Sequence, residues 1–344
     1  MGNLEHTFYF DGNGKSEQRL RYLNCYERVV YFYYKNKYLL EYDIFNLFIC
    51  NYLPVIEISN NGIVNLLGYP LFKTDQSNVQ LSYISGKLSD LIDLVGKGEY
   101  AVFQTSDPDV PFSNVYNKFD LDESEYGEYY LAIARNDDYL YLPLYLHNGY
   151  DRLYNYNENI FYIHWDNMKD AFDKQLKVYR FVRSELTRKT VDEIHYELFC
   201  NISQYYNYSK KESSDLLTCY GIKCIEALLN YCTIESLNLD DKIGDKPLYK
   251  VLKTCILSTI SKRKILKDCL EKTYPLRYES LIQKINGTIN AYITLISILE
   301  IEYMKNNRVF GNRYKKSLEG IIFNENEMSK TLSDYIKNTD YKSQ

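Results

Sequence analysis

The sequence predicts an α+β protein in two parts, with a mixed α/β region followed by an all-helical region. The length of 344 residues exceeds that of one typical domain. Between Leu53 and Tyr145, short β-type runs alternate with clusters of Gly, Asn, Asp and Pro. After Ile163, apolar residues recur three and four positions apart, as on one face of a helix. We therefore predict an α/β domain over residues 1–165 and a helical bundle over residues 166–344.

A helix is predicted before the first long strands. The segment NCYERVVYFYYKNKY begins at Asn24 and is rich in apolar residues, and Asn24 or the loop before it supplies a cap. The helix then begins at about Cys25. Its expected contacts with the sheet are Val29, Val30 and Phe32 or Tyr33.

The runs VIEI, AVFQT, YYLAIA and YLYLPLYL predict a sheet of at least four strands in the first half. Asn136-Asp137-Asp138 separates the last two runs and predicts a hairpin turn. Between the strands we predict two short helices, Val64 to Tyr69 and Leu88 to Val95.

The second half predicts packed helices and no sheet. The segment SSDLLTCYGIKCIEALLNY repeats apolar residues over several turns after a serine cap. The predicted helices run from Asp166 to Arg188, Val191 to Tyr206, Ser213 to Tyr231, Pro247 to Thr273, Pro275 to Asn306 and Asn312 to Asn338.

Composition and charge indicate which partners and which cellular location to expect. The net charge is −5, and basic residues are interleaved with acidic ones, so nucleic acid is not an expected partner. The first residues lack a secretory signal pattern, and apolar stretches such as Ala291 to Leu299 are too short to span a bilayer. We expect a cytoplasmic protein without a membrane partner. The 38 tyrosines accompany abundant Asn, Lys and Ile, as an AT-rich genome would encode, and indicate no special function.

Cofactor and metal motifs are missing from the sequence. The eight cysteines form no CxxC pair and no Cys/His cluster at zinc spacing. Six of them fall in the predicted helical half, where small buried thiols are common core residues. The sequence contains no GxGxxG, GxxxxGK[ST], HExxH or GxSxG motif. We expect neither a metal nor a cofactor.

Cys25 is the candidate nucleophile. At the start of a helix a thiol gains acidity from the helix dipole and from free backbone N–H groups. Gln18, seven residues earlier, is placed to offer its amide to an oxyanion. Papain-like enzymes use this arrangement together with a His and an Asp or Asn from a sheet. The alternative, a simple buried thiol, is equally compatible with the pattern.

Three segments carry a resemblance to a known family. They are QRLRYLNCYERVVYFYYKNKYLLEYDIF, VGKGEYAVFQTSDPDVPFSNVY and EYYLAIARNDDYLYL, and the tail from CYGIKCIEALLNY onward fits the same pattern. Together they resemble the butirosin biosynthesis protein H type of domain. The resemblance implies a papain-like fold of the bacteriocin-processing cysteine peptidase kind, followed by a helical domain.

The same resemblance implies a function. Cys25 would take an acyl group from an acyl or peptidyl carrier protein and pass it to an amine acceptor in a specialised peptide or antibiotic pathway. The chain departs from the family where the catalytic His is expected, because Tyr129 stands there, and no carboxylate occurs near Leu142 and Pro143. His147 is the nearest substitute for the missing base.

Three functions remain open at this stage. The first is a cysteine-dependent acyltransferase or amide-forming enzyme. The second is a catalytically inactive relative that acts as a binding or scaffold protein in such a pathway. The third is a peptidase, which lacks the same base. For His147, and more so for His6, His164 and His195, a surface or structural role is favoured over catalysis.

Overall fold

The structure is a computed structural model, and it divides the chain into two compact units. The first unit comprises Met1–Ile44 and Thr74–Thr187, and the second comprises Phe45–Lys73 and Arg188–Gln344. The residues that the structure describes are 27, 29–33, 55–59, 62–67, 80–105, 128–143, 160–164, 176–182, 190–207, 211–212, 216–234, 238–243, 246–307, 309 and 311–338. The division differs from a single cut near residue 165, because strands from both halves of the sequence enter each unit.

The strands, in chain order, are β1 (Val55–Ser59), β2 (Gly62–Leu67), β3 (Gln80–Ser85), β4 (Ala101–Thr105), β5 (Glu128–Ala132), β6 (Ala134–Arg135), β7 (Tyr139–Pro143), β8 (Ile160–His164), β9 (Lys177–Val182), β10 (Lys211–Glu212), β11 (Leu216–Tyr220), β12 (Lys242–Ile243) and β13 (Lys246–Pro247). The helices are α1 (Leu88–Gly96), α2 (Val191–Asn207), α3 (Ile222–Ile234), α4 (Leu248–Thr273), α5 (Glu279–Met304) and α6 (Asn312–Asn338). Residues 29–33 are also helical.

The first unit is built on a four-stranded antiparallel sheet with the order β3-β9-β4-β5. Because side chains alternate along a strand, Ala101 and Phe103 of β4 point to one face. There Phe103 stacks on Tyr130 of β5, with 5.1 Å between the ring centroids. Leu91 and Leu94 of α1 belong to the same buried cluster, so the apolar stripe of this helix covers that face.

A three-stranded antiparallel sheet, β6-β7-β8, completes the described part of the first unit. The turn between β6 and β7 is organised by Asn136, whose Oδ1 accepts hydrogen bonds from the backbone N–H of Asp138 at 2.9 Å and of Tyr139 at 2.6 Å. Asn forms such side-chain turns readily. The predicted hairpin is confirmed.

The second unit combines a four-stranded sheet, β10-β11-β1-β2, with long helices. Helix α5 packs against both α4 and α6. The buried residues of α5 include Leu281, Ile285, Ile289 and Tyr292, which recur at helical spacing and face the neighbouring helices. The expected helical region is thus present over residues 248–338.

Three predicted helices are wrong in part. Residues 177–182 form β9, within the predicted helix from Asp166, because the β-branched and aromatic residues of KVYRFV suit a pleated sheet. Residues 216–220 form β11, which pairs with β1, and helix α3 begins only at Ile222. Residues 62–67 form β2 rather than a short helix, because they pair with β1. The expectation of no sheet after residue 165 therefore fails.

No helix in the described ranges is long and apolar enough to cross a membrane.

Candidate functional site

Three of the four predicted site residues, Cys25, Gln18 and His147, lie outside the described residues. Their roles remain predictions. Tyr129 is described and lies in β5. The site can therefore be built from the sheet that carries Tyr129 and from the helical residues that follow Cys25 in sequence.

Helical residues 29–33 are buried along their whole length. The ring of Tyr33 stacks on Phe181 of β9, with centroids 3.6 Å apart and planes 9° from parallel. The same ring meets Tyr100 edge-on, with 6.1 Å between centroids. The prediction that this helix packs on the sheet is thus confirmed at Tyr33.

Tyr129 lies on the same face of the sheet as Phe181. Phe181 and Tyr179 are two residues apart on β9, so both point to one face. Tyr179 pairs with Val102, and Gln104, two residues further along β4, pairs with Tyr129. The strand register therefore places the helix after Cys25 and the side chain of Tyr129 on one face of one sheet.

A chain of neutral hydrogen-bonding groups runs across this face. The Tyr179 hydroxyl donates to Gln104 Oε1 at 3.3 Å. Tyr129 hydrogen-bonds to Tyr179, and the two rings lie 6.0 Å apart. Tyr83 of the edge strand β3 meets the Tyr179 ring edge-on at 5.8 Å and is 59% exposed. We refer to Gln104, Tyr129 and Tyr179 as the tyrosine row.

The electrostatics of the tyrosine row oppose base catalysis. Burial raises the pKa of Tyr179, and the hydrogen bond from Tyr129 lowers it by a smaller amount. Phenols, whose ordinary pKa is about 10, are protonated at neutral pH and cannot take a proton from a thiol there. Hydroxyl and amide groups can instead donate hydrogen bonds to, and accept them from, the amides of a ligand.

The second unit contains a buried histidine. His195 lies on α2 and is 2% exposed. Its Nδ1 lies 3.2 Å from the Tyr278 hydroxyl, and its Nε2 lies 3.3 Å from Thr273 Oγ1. Thr273 Oγ1 donates its own hydrogen to the carbonyl of Cys269 at 2.9 Å, so it accepts from His195 Nε2–H. His195 Nδ1 then accepts from Tyr278, which fixes a neutral tautomer.

Aromatic rings and one ion pair surround this histidine. Phe199, Tyr274 and Tyr278 lie within 6.2 Å of the His195 ring, centroid to centroid. Arg277 stands over the rings of Tyr274 and Tyr278 and pairs with Asp192 at 2.9 Å.

His195 and Tyr278 are both uncharged at neutral pH. Burial lowers the pKa of His195 to about 4; Asp192 raises it and Arg277 lowers it by smaller amounts. Burial is also the largest cause that raises the pKa of Tyr278 to about 12. The structural role favoured for His195 from the sequence agrees with this geometry.

The residues that contact His195 could not be predicted from the sequence. Its burial could be, because His195, Phe199 and Ile202 share the apolar face of α2. Thr273 and Tyr278 lie about 80 residues later and flank a break between helices α4 and α5. No spacing rule connects them to α2.

A buried ion pair lies among the three long helices. The guanidinium of Arg263 on α4 pairs with Glu325 on α6, and both side chains are at most 1% exposed. The Tyr292 hydroxyl of α5 donates to the same Glu325 oxygen at 3.0 Å, and the guanidinium stands 5.2 Å from the Tyr292 ring centroid. The pair therefore ties one residue from each helix together.

In the described part of the chain, no three or more His, Cys, Asp or Glu residues are grouped so that they could hold a metal ion. Cys200, Cys219, Cys224, Cys255 and Cys269 are free thiols, and the last four of them are buried, as expected for core residues.

Neither a protein-family model nor a curated protein matches this chain.

Proposed function

We propose that the first unit is a papain-like domain that binds an amide-bearing ligand without acting on it, as a non-catalytic relative of cysteine acyltransferases. The observation that carries the proposal is the position of Tyr129. It occupies the place where the family resemblance expects the general base, and its hydroxyl joins a neutral row with Tyr179 and Gln104.

The chemistry of the tyrosine row indicates the class of ligand. Phenols and carboxamides form hydrogen bonds without carrying charge, which suits the peptide groups of a ligand. The pantetheine arm of an acyl or peptidyl carrier protein contains two such amides. We therefore propose a carrier protein arm as the ligand and a specialised peptide or antibiotic pathway as the setting.

The test is calorimetric titration of the full chain with acetyl-pantetheine. Tyr129→Phe removes one hydroxyl, and we expect about three- to tenfold weaker binding, the effect of losing one hydrogen bond. Tyr83→Phe is the matched control, because Tyr83 lies on the same face but outside the row, and we expect it to bind as the wild type does. Equal affinity of Tyr129→Phe and wild type, or no binding by the wild type, would contradict the proposal.

A second candidate function is acyl transfer through Cys25. It is favoured by the packing of helical residues 29–33 on the face that carries Tyr129, since the papain-like arrangement requires the helix after the nucleophile to lie there. The Cys25 thiolate would attack the carrier thioester carbonyl, form a new thioester and release the carrier thiolate, which takes a proton from water. An amine would then attack that thioester, form the amide, release Cys25 as the thiolate and give its surplus proton to water.

Thiol reactivity separates the two candidates. An activated Cys25 should react with iodoacetamide well below pH 8.5, the ordinary pKa of a free thiol being about 8.5. We expect its rate to follow that of an ordinary thiol instead. A Cys25→Ala protein that is folded but loses all amide-forming activity would make transfer the function.

A further inference from the structure

The exposed side of helix α5 is uncharged along most of its length. A surface helix usually presents charged side chains to water. Helix α5 has no charged residue between Lys284 and Glu300, although 25% of the chain is charged. Five exposed residues recur at helical spacing on its outer side, and we refer to them as the α5 face: Gln283, Asn290, Thr294, Ser297 and Ile301.

The charged residues within α5 are engaged at its sides or in the core. Lys284 Nζ lies 3.2 Å from a Glu327 carboxylate oxygen on α6. A Glu300 carboxylate oxygen lies 2.8 Å from Lys253 Nζ on α4, and Glu302 is buried. These groups are turned toward the neighbouring helices, so the α5 face between them stays neutral.

The hydroxyl groups of the α5 face are bonded to the helix itself. Thr294 Oγ1 donates to the carbonyl of Asn290 at 2.9 Å, and Ser297 Oγ donates to the carbonyl of Ile293 at 2.9 Å. Covering a hydroxyl whose hydrogen is already bonded costs less free energy than covering an unbonded one. Apolar side chains on the same side of α5 are between 43% and 75% exposed, namely Ile293, Ile301 and Met304. Another protein surface can therefore cover this side of α5 favourably.

Opposite charges lie at the two ends of the α5 face. Glu279 is exposed in the first turn of α5, and Lys305 is exposed at its C-cap. Both are equally far in sequence from Tyr292. In an antiparallel pair of α5 helices centred at Tyr292, Glu279 of one copy lies opposite Lys305 of the other, at both ends of the contact. A parallel pair would bring like charges together, so the charge pattern fits a second copy in antiparallel orientation.

The centre of such a pair is also complementary. Asn290 of one copy lies opposite Thr294 of the other, and its amide N–H can donate to the Thr294 hydroxyl oxygen. Gln283 lies opposite Ile301, where the methylene groups of the glutamine can cover the isoleucine. No charge has to be removed from water without a partner.

The available area suits a reversible dimer. Helix α5 has 26 residues, which makes it about 39 Å long, and a width of about 10 Å gives about 400 Å² per copy. Leu257, one turn after Lys253, is 46% exposed beside α5, and Phe323, one turn before Glu327, is 66% exposed on the other side. They widen the apolar surface toward the roughly 800 Å² per partner of a standard interface.

We propose that the α5 face is a self-association surface, on which two copies of this chain form an antiparallel dimer with two-fold symmetry. The axis passes near Tyr292, and Glu279 pairs with Lys305 of the other copy at each end. The surface uses neither Cys25 nor the tyrosine row, so its test is independent of the function proposed above.

The first test is sedimentation equilibrium of the full chain. The mean mass should rise from 40.9 kDa toward twice that value between about 1 and 200 µM, with a dissociation constant of roughly 10 to 100 µM. Ile301→Glu places an unpaired charge in the contact and should weaken dimerisation at least about tenfold. Val64→Glu adds the same charge on β2, at a position that is 51% exposed, and should dimerise as the wild type does. A constant mass of 40.9 kDa, or equal weakening by both variants, would overturn the proposal.

The second test exchanges the charges at the ends of α5. Glu279→Lys brings two lysines together at each end of the dimer, and Lys305→Glu brings two glutamates together, so each variant should dimerise about three- to tenfold more weakly. The double variant restores opposite charges in reversed order, and its dissociation constant should return to within about twofold of the wild-type value. Single variants that dimerise as the wild type does, or a double variant as weak as the single ones, would contradict the antiparallel pairing and overturn the proposal.

Discussion

The hydrogen bonds of single residues decide which chemistry each unit can perform. In the first unit, a phenol stands where the family resemblance expects an imidazole, and its partners are another phenol and a carboxamide. In the second unit, an imidazole is present, but both of its nitrogens are committed to Thr273 and Tyr278. A histidine that catalyses proton transfer needs a nitrogen that can reach a substrate. The geometry of His195 therefore indicates a structural role.

His195 should make the protein less stable in mild acid. Its folded pKa of about 4 lies below the ordinary value of 6.5, so the unfolded chain binds the proton more tightly. The stability it contributes is complete above pH 6.5 and is lost as pH falls toward 4, by on the order of 2 to 3 kcal/mol. Urea unfolding at several pH values measures this loss.

The control for that measurement is His195→Gln, which cannot titrate. Other histidines and carboxylates contribute equally to both proteins, so the difference between the two stability curves isolates His195. A constant difference from pH 7 to pH 4 would show that the folded pKa of His195 is not lowered.

Removal of the Glu325 charge should greatly lower the free energy of unfolding. Glu325→Gln leaves the buried Arg263 charge without its counter-ion, and we expect a loss of about 3 to 5 kcal/mol in the free energy of unfolding. Glu226→Gln breaks the exposed pair with Lys223 and should cost less than about 1 kcal/mol. Urea denaturation compares the two.

Replacing Arg263, Tyr292 and Glu325 together tests why Glu325→Gln lowers the free energy of unfolding. The triple variant Arg263→Met, Tyr292→Phe and Glu325→Leu removes the two charges and the hydroxyl of this cluster together, so most of the lost stability should return. A triple variant as unstable as Glu325→Gln would show that packing, rather than an unpaired charge, is responsible.

At the scale of elements, local signals are strongest at helix ends and turns. Thr190 and Glu193 form a capping box at the start of α2. The Glu193 carboxylate accepts from the Thr190 backbone N–H at 2.6 Å, and Thr190 Oγ1 accepts from the Glu193 N–H at 3.3 Å. The Asn136 turn acts in the same local way, through its own neighbours. Such elements can be read from a few consecutive residues.

Substitutions at Thr190 test how much the cap of α2 contributes to stability. Thr190→Ala should lower the free energy of unfolding by about 1 kcal/mol, because the N–H of Glu193 loses its acceptor. Thr190→Ser keeps a hydroxyl and should stay near the wild-type value. If both variants lose equal stability in thermal unfolding, the methyl group of Thr190 matters and the cap does not.

Long-range pairing explains where sequence reading failed. The segment containing β11 repeats apolar residues in a way that fits a helix, but its first residues pair with β1, more than 150 positions away. The β9 segment likewise pairs with β3 and β4. Short apolar runs are ambiguous between helix and strand until their partners are known. Helices α4 and α6 were predicted well because their periodicity extends over many turns.

The candidate site, like the fold, was predictable only where local sequence patterns determine the structure. Burial of residues 29–33 and the presence of Tyr129 on a strand follow from local patterns. The alignment of Gln104, Tyr129 and Tyr179 depends on the register of three strands, two of which come from segments about 75 residues apart. That register cannot be predicted from the sequence of each strand alone, because it depends on which strands pair.

At the scale of the whole molecule, each unit is assembled from distant segments of the chain. The first unit takes β9 as an inner strand between β3 and β4. The second takes β1 and β2 from a segment that precedes most of the first unit. Contacts of this kind close long loops and favour slow folding.

This arrangement predicts the behaviour of fragments. Residues 1–165 lack β9, and residues 166–344 lack β1 and β2, so neither fragment should fold alone. Circular dichroism of each fragment and thermal melts should show no cooperative transition. A fragment that ends at residue 165 and melts cooperatively would show that the first unit does not need β9.

Intact-mass spectrometry after incubation with an acyl-pantetheine thioester tests most directly whether the first unit binds without catalysing. The tyrosine row provides no base for Cys25, so we predict that the chain binds the thioester and its mass stays unchanged over the hours in which a Cys25→Ala control is also unchanged. An acyl group on the wild-type chain, located at Cys25 by peptide mapping and absent from the control, would contradict a purely binding role and establish the transfer mechanism in its place.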